Sequence, residues 1–171
     1  MHQPTSATAL GIVIRQEPYA GSGPRRVVEE AEAELIARYG ALSDDEFGLT
    51  AAMFDPPKGT FLVARAGDGD VVGGVGVRPF EPVPGVGEIK RLWVDPVWRR
   101  RRLGQVLMDE IESVACRLGF SALHLATGDR QPEAVALYEG TGWGRRRRDH
   151  AGALLPDWHL QFSKPLRRIG G

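Results

Sequence analysis

Apolar residues along this chain switch between strand-like and helix-like spacing, and the switches mark its elements. Residues 1–10 are polar and read as a loose terminus, and Gly11–Arg15 (GIVIR) is a short strand. Gly21-Ser22-Gly23-Pro24 is a turn that starts a helix, with proline in its first turn. Val28, Ala31, Leu35 and Tyr39 then recur at helical spacing. Ser43-Asp44-Asp45-Glu46 matches a capping box and predicts a second, short helix through Phe54, ended by Pro56-Pro57. Thr60–Arg65 and Val71–Arg78 read as strands joined by a hairpin turn at Gly67-Asp68-Gly69-Asp70. Gly73, Gly74 and Gly76 weaken the second of these strands but allow another part of the chain to approach closely.

Pro79–Gly87 is rich in proline and glycine and reads as a loop, followed by the strand Glu88–Val94. Leu103, Val106, Leu107, Ile111, Val114 and Leu118 form the apolar stripe of a helix, with Gly119 as its stop. Ser121–Thr127 is a strand and Pro132–Glu139 a short helix. Trp143 and then Asp157–Lys164 begin and close a last hairpin. The order β-α-α-β-β-β-α-β-α-β-β implies a mixed sheet with helices on its faces, an α/β (α+β) class.

Composition narrows the function classes. With 171 residues the chain is expected to form one domain, 1–171, with its core at about 11–166. Equal numbers of acidic and basic residues leave no global field for nucleic acid or a membrane, so neither is an expected partner. A single cysteine, Cys116, rules out an internal disulfide and fits a reducing cytoplasm. Met1–Ala9 lacks the apolar run of a secretory signal, and no apolar stretch approaches bilayer length. The histidines, His2, His124, His150 and His159, lack metal-ligand spacing with each other or with Cys116, so no metal is expected. Nor is there a nucleophile elbow or a Walker loop.

Charge is uneven, however, and the densest run sits where chemistry would use it. In 88–107 (EIKRLWVDPVWRRRRLGQVL) an apolar strand meets Asp95-Pro96, then Arg99, Arg100, Arg101 and Arg102, then Leu103-Gly104-Gln105 and a helix. A strand end, a tight turn and a helix N-terminus present backbone N–H groups and partial positive charge to an anion such as phosphate. The alternative is a solvated basic face. The second run, Arg145–Arg148, lacks that context and reads as a solvated strand edge, its alternative being a substrate or nucleic-acid contact.

These residues resemble the GNAT superfamily of acyl-CoA N-acyltransferases over roughly residues 11–166. The family's pyrophosphate loop follows a strand ending in Val-x-Pro, which is Val94-Asp95-Pro96 here, and Arg99 to Gly104 occupies the loop. A second family motif is matched by Gln131-Pro132-Glu133-Ala134-Val135-Ala136-Leu137-Tyr138-Glu139-Gly140-Thr141-Gly142-Trp143, and Glu88-Ile89-Lys90-Arg91-Leu92 is a familiar lead-in. Arg102 stands where the motif has its first glycine; a positive φ there would strain an arginine.

The resemblance implies a mostly antiparallel sheet of six to seven strands, about four flanking helices, and a splayed, bulged strand at 88–94. It implies acetyl-CoA as co-substrate, held by backbone N–H groups of Arg100–Gln105, with Leu92, Trp93 and Val94 along the pantetheine arm and Gln131 beside it. The Val94 N–H would be the oxyanion donor. Tyr138 would be the general acid for the leaving thiolate, its alternative being a core tyrosine beside Ala134 and Leu137. Glu88 is the candidate base for the amine, directly or through a water, its alternative being a structural ion pair. His124 could relay protons, its alternative being a packed or exposed histidine. Cys116, within the helix after the loop, is not expected to be a nucleophile. The expected activity is N-acetylation of a primary amine by direct attack in a ternary complex; a non-catalytic acyl-CoA-binding regulatory module is the alternative.

The acceptor would be a small-molecule amine or amino acid, or a protein amine, bound by the first two helices and the Pro79–Gly87 loop. Asp44, Asp45, Glu46, Asp55 and Glu81 would attract a cationic amine there. A monomer or a homodimer is expected.

Overall fold

The computed structural model describes residues 6–42 and 48–167. Its strands are β1 (Ile12–Gln16), β2 (Thr60–Ala66), β3 (Val71–Pro79), β4 (Val86–Val94), β5 (Ala122–Gly128), β6 (Gly144–Arg146) and β7 (His159–Pro165). Its helices are α1 (Ser22–Tyr39), α2 (Ala51–Phe54), α3 (Leu103–Arg117) and α4 (Pro132–Gly140). The element order is the expected one. The capping box at Ser43-Asp44-Asp45-Glu46 lies outside the described residues; residues 48–50 are not helical, and α2 is a single turn that begins after Thr50. β4 starts two residues earlier than the sequence suggests, because Val86 and Gly87 already pair with β5.

The strands form one sheet in the order β1-β2-β3-β4-β5-β7-β6. All pairings are antiparallel except β4 with β5, which is parallel. That one pairing is short: Val86↔Ala122, Gly87↔Leu123 and Glu88↔His124. Beyond Glu88 and His124 the two strands separate, which is the expected splay.

Two apolar clusters cover the two sides of the sheet. Leu103, Leu107, Met108 and Ile111 of α3 pack with Leu62, Val75, Val77, Ile89, Leu123 and Leu125, and Tyr138 of α4 joins this cluster. On the other side Val27 and Ala31 of α1 and Phe54 of α2 pack with Phe61, Val63 and Trp93. The buried stripe of α1 uses Val27 rather than the expected Val28, which is only half-buried. The helix stops at Gly40, which takes the left-handed conformation (φ 83°).

β4 changes face midway. Gly74 pairs with Trp93 and Gly76 with Lys90, so β4 carries one residue more than β3 in this interval. Arg91 lies within this bulge with φ 58°. One extra residue reverses the inside–outside alternation. Glu88 and Lys90 therefore share the α1 side of the sheet with Trp93, while Leu92 and Val94 pack with the α3 cluster. The glycines of β3 make room for this arrangement. A Cβ on Gly74 would lie 2.7 Å from Val27, and one on Gly76 2.8 Å from the rings of Phe54 and Phe61. Gly76→Ala should therefore cost about 1–3 kcal/mol through overpacking. Urea denaturation measures this, and an unchanged midpoint would show that the two rings can move aside.

Candidate active site

The sheet's single parallel pairing ends at Glu88↔His124, and a cavity of about 860 Å³ opens there. α1 and α2 contribute Ala31, Glu34, Leu35, Tyr39 and Met53 to its wall, and the segment after β3 contributes Phe80, Glu81 and Pro82. The floor comes from β4, β5 and β7, including Glu88, Lys90, Trp93, His124, Ala126 and Gln161. Tyr138, which packs with the α3 cluster, lines the same cavity, so the splay opens a path from one side of the sheet to the other.

Tyr138 is 6% exposed. Its ring packs at 5.9 Å from Trp143 and 5.7 Å from Phe162, and its hydroxyl meets no partner among the described residues. Burial pushes the phenol pKa up, so the side chain is held protonated. Gln131 precedes Pro132 at the start of α4 and lines the cavity too.

Register places a polar row across the splay. Arg78 lies opposite Glu88, Glu88 opposite His124, and His124 opposite Ser163. Glu88 is 7% exposed. Its Oε2 accepts from Arg78 Nε at 2.9 Å, and its Oε1 lies 3.4 Å from Lys90 Nζ. His124 is 5% exposed and stacks on Phe80 with ring centroids 4.1 Å apart. Burial pushes its pKa down to about 4; Glu88 opposes that shift, while Arg146, Lys90 and His150 reinforce it.

The arginine loop has its own geometry. Arg100 and Arg102 are left-handed (φ 61° and 65°), so the position held by glycine in the motif does require positive φ. Each such residue costs about 1–2 kcal/mol. Among the described residues, no N–H from Arg100 to Gln105 meets an acceptor, and the first that does is Val106, bonded to the Arg102 carbonyl at 3.0 Å. Arg102 caps α3 without a side-chain hydrogen bond. The result is a string of free N–H groups in alternating backbone conformation, which suits an anion. The arginine side chains do different jobs. Arg99 donates to the Val94 carbonyl at 2.9 Å and pairs with Glu34 of α1. Arg101 lies over Trp98, 5.1 Å from the ring centre. Arg100 and Arg102 are exposed. A Cβ on Gly104 would lie 3.4 Å from Leu137, so the first turn of α3 runs close beside α4.

The remaining expected residues are placed as follows. The side chains of Leu92, Trp93 and Val94 pack in the two apolar clusters, and Leu92 and Trp93 also line the cavity. Asp55 accepts the Tyr19 N–H at 2.9 Å, and Glu81 lines the cavity. Asp44, Asp45 and Glu46 lie outside the described residues. Phe80, Gln161 and Trp158 (62% exposed) line the cavity without any motif to announce them. Among the described residues no group of His, Cys, Asp and Glu could hold a metal ion, and no helix is long and apolar enough to cross a membrane.

Residues 25–143 match the model of the Acetyltransferase (GNAT) family. An IAA acetyltransferase from Azospirillum brasilense is 36% identical over 156 residues, covering 91% of this chain and 98% of that one. An uncharacterized N-acetyltransferase from Schizosaccharomyces pombe is 41% identical over 100 residues, which is 58% of this chain and 61% of that relative, less than two thirds of its length. A GNAT family acetyltransferase from Elizabethkingia anophelis, solved with acetyl-CoA bound, superposes with a TM-score of 0.63 at 16% identity, over 91% of this chain and 99% of that chain. The fold, the family model and the relatives agree: the chain belongs to the GNAT acetyltransferase family and is an acyltransferase.

The depressed His124 pKa makes a stability prediction. The native value (about 4) lies below the unfolded one (6.5), so the unfolded chain binds the extra proton between these limits. The fold should lose stability as pH falls through that window, by on the order of 3 kcal/mol from this residue. His124→Phe keeps a ring against Phe80 and should remove that part of the loss. Urea unfolding of both proteins across the window measures it; parallel pH profiles would contradict the assignment.

Proposed function

We propose that this single domain transfers the acetyl group of acetyl-CoA to a small primary amine by direct attack in a ternary complex. The observation that carries the reading is the continuous cavity joining the sheet's two sides at the splay. On one side it meets Tyr138 and on the other the pocket walled by α1, α2 and Phe80. A volume of about 860 Å³ suits a small molecule, which favours an amine metabolite or amino acid over a protein segment.

Acetyl-CoA supplies an activated acetyl group as a thioester. The N–H groups from Arg100 to Gln105 would hold its diphosphate, and the lack of any acceptor for them among the described residues supports this. The exposed Arg100 and Arg102 side chains add charge beside the same loop. Leu92 to Val94 would pair with the pantetheine arm through backbone groups, since β4 has left β5 by that point. The Val94 N–H would stabilise the negative charge that develops on the carbonyl oxygen, a contribution of about 10²–10³ in rate. Tyr138, held protonated by burial, would give its proton to the departing sulfur. The amine's proton would leave toward the end of the β4–β5 pairing, where the buried carboxylate of Glu88 can balance the positive charge, directly or through an intervening group. A non-catalytic acyl-CoA-binding module is not favoured, because the matched family and relatives are acetyltransferases and Tyr138 lines the cavity.

Release of free thiol from acetyl-CoA in the presence of an amine panel tests the reading. Tight acetyl-CoA binding without turnover of any amine would reject it. Tyr138→Phe should lower kcat by about 10²-fold and leave acetyl-CoA affinity unchanged; equal turnover at every pH would remove the acid role. Gly104→Glu should abolish acetyl-CoA binding, since it sets a carboxylate beside the diphosphate in a crowded first turn. A normal calorimetric isotherm would refute the loop assignment.

A further inference from the structure

We propose that His124 is the immediate proton acceptor for the attacking amine, with Glu88 as its counter-charge rather than the group that touches the amine. The proposal rests on the acetyltransferase reading above.

Placement comes first. Glu88↔His124 is the last pairing before β4 and β5 part, so His124 sits where the cavity meets the splay. Its side chain is almost fully buried, it lines the cavity, and its ring nitrogens meet no hydrogen-bond partner among the described residues. Because the residue lines the cavity, those nitrogens are open to a molecule bound there. Stacking on Phe80 at an interplanar angle of 17° fixes the ring plane.

Glu88 is placed differently. One of its oxygens is engaged by Arg78 and the other lies near Lys90. An amine reaching that carboxylate would have to compete with both cations. A carboxylate so held can still stabilise a positive charge beside it, and Glu88 raises the proton affinity of His124.

The other charged groups around the ring act in the opposite sense. Lys90 on β4, Arg146 on β6 and His150 after β6 all disfavour its protonation, as does burial. Arg78 on β3 stands one strand further away, behind Glu88. His124 is therefore an uncharged acceptor at neutral pH and holds a proton only briefly.

The step balances. As the carbon–nitrogen bond forms, the nitrogen becomes positive and more acidic than the free amine, and His124 takes one proton from it. As the carbon–sulfur bond breaks, Tyr138 gives one proton to the sulfur. The two residues return to their starting states by exchange with solvent through the cavity.

Imidazole rescue tests this. His124→Ala should lower kcat by about 10²–10⁴-fold, leave acetyl-CoA affinity unchanged by calorimetry, and regain activity when imidazole is added. A merely structural histidine gives no such rescue. His124→Phe, which fills the space, should show the same loss with no rescue, and it serves if the alanine variant does not fold. A kcat near that of wild type in either variant, or a loss in His124→Ala that imidazole does not relieve, overturns the proposal while leaving acetyl transfer standing. If the wild-type protein releases no thiol with any amine, the acetyltransferase reading fails and this one falls with it.

Discussion

The parallel contact between β4 and β5 lasts three residue pairs, and the arrangement of the site follows from where it stops. Two neighbouring strands that part leave backbone groups without ladder partners, which a folded chain normally avoids. Here the separation is built in on the β4 side by the bulge at Arg91, whose left-handed backbone also turns the following residues over. Trp93 is thereby sent into the α1 cluster, and Leu92 and Val94 into the α3 cluster. The strand is anchored on both sides of the sheet just where it has lost a neighbour.

α1 spans the opening and ties its two sides together. Glu32 pairs with Arg91 at 3.0 Å, and Glu34 pairs with Arg99 at the start of the arginine loop. At the end of the helix, Arg38 pairs with Glu133 of α4 and donates to the Arg130 carbonyl at 2.7 Å. Tyr39 accepts the Arg130 N–H at 3.1 Å. The partly exposed pairs of Arg99 and Arg38 contribute little individually. Their value lies in position: one helix holds the bulge, the loop and α4 in a fixed relation across a gap that the sheet itself does not bridge. A side chain on Gly128 would overlap Tyr39, so the glycine is needed for that closure.

Strain and charge are concentrated beside the same gap. Three arginines, Arg91, Arg100 and Arg102, have left-handed backbones, and all lie between the bulge and the start of α3. Such conformations persist when surrounding structure holds them, and they collect at functional sites. The polar row Arg78–Glu88–His124 adds buried ionisable groups at the closed end of the gap. One end of the opening thus presents backbone N–H groups without acceptors among the described residues, and the other a carboxylate beside an uncharged imidazole.

The element order, the α3 stripe with its stop at Gly119, the hairpin turn at Gly67–Asp70 and the arginine loop were legible in the sequence. Each is set by residues close together in the chain: apolar spacing, turn chemistry, a run of like charge. The motif around Tyr138 was legible through the family resemblance rather than through local chemistry. The meeting of Arg78, Glu88 and His124, the wall formed by Phe80 and Trp158, and the ties from α1 to Arg91, Arg99 and Glu133 were not. Strand register decides these contacts, and register depends on how whole faces bury against α1 and α3. Local chemistry along the chain named the parts; only burial across the sheet brought a glutamate and a histidine thirty-six positions apart into one row.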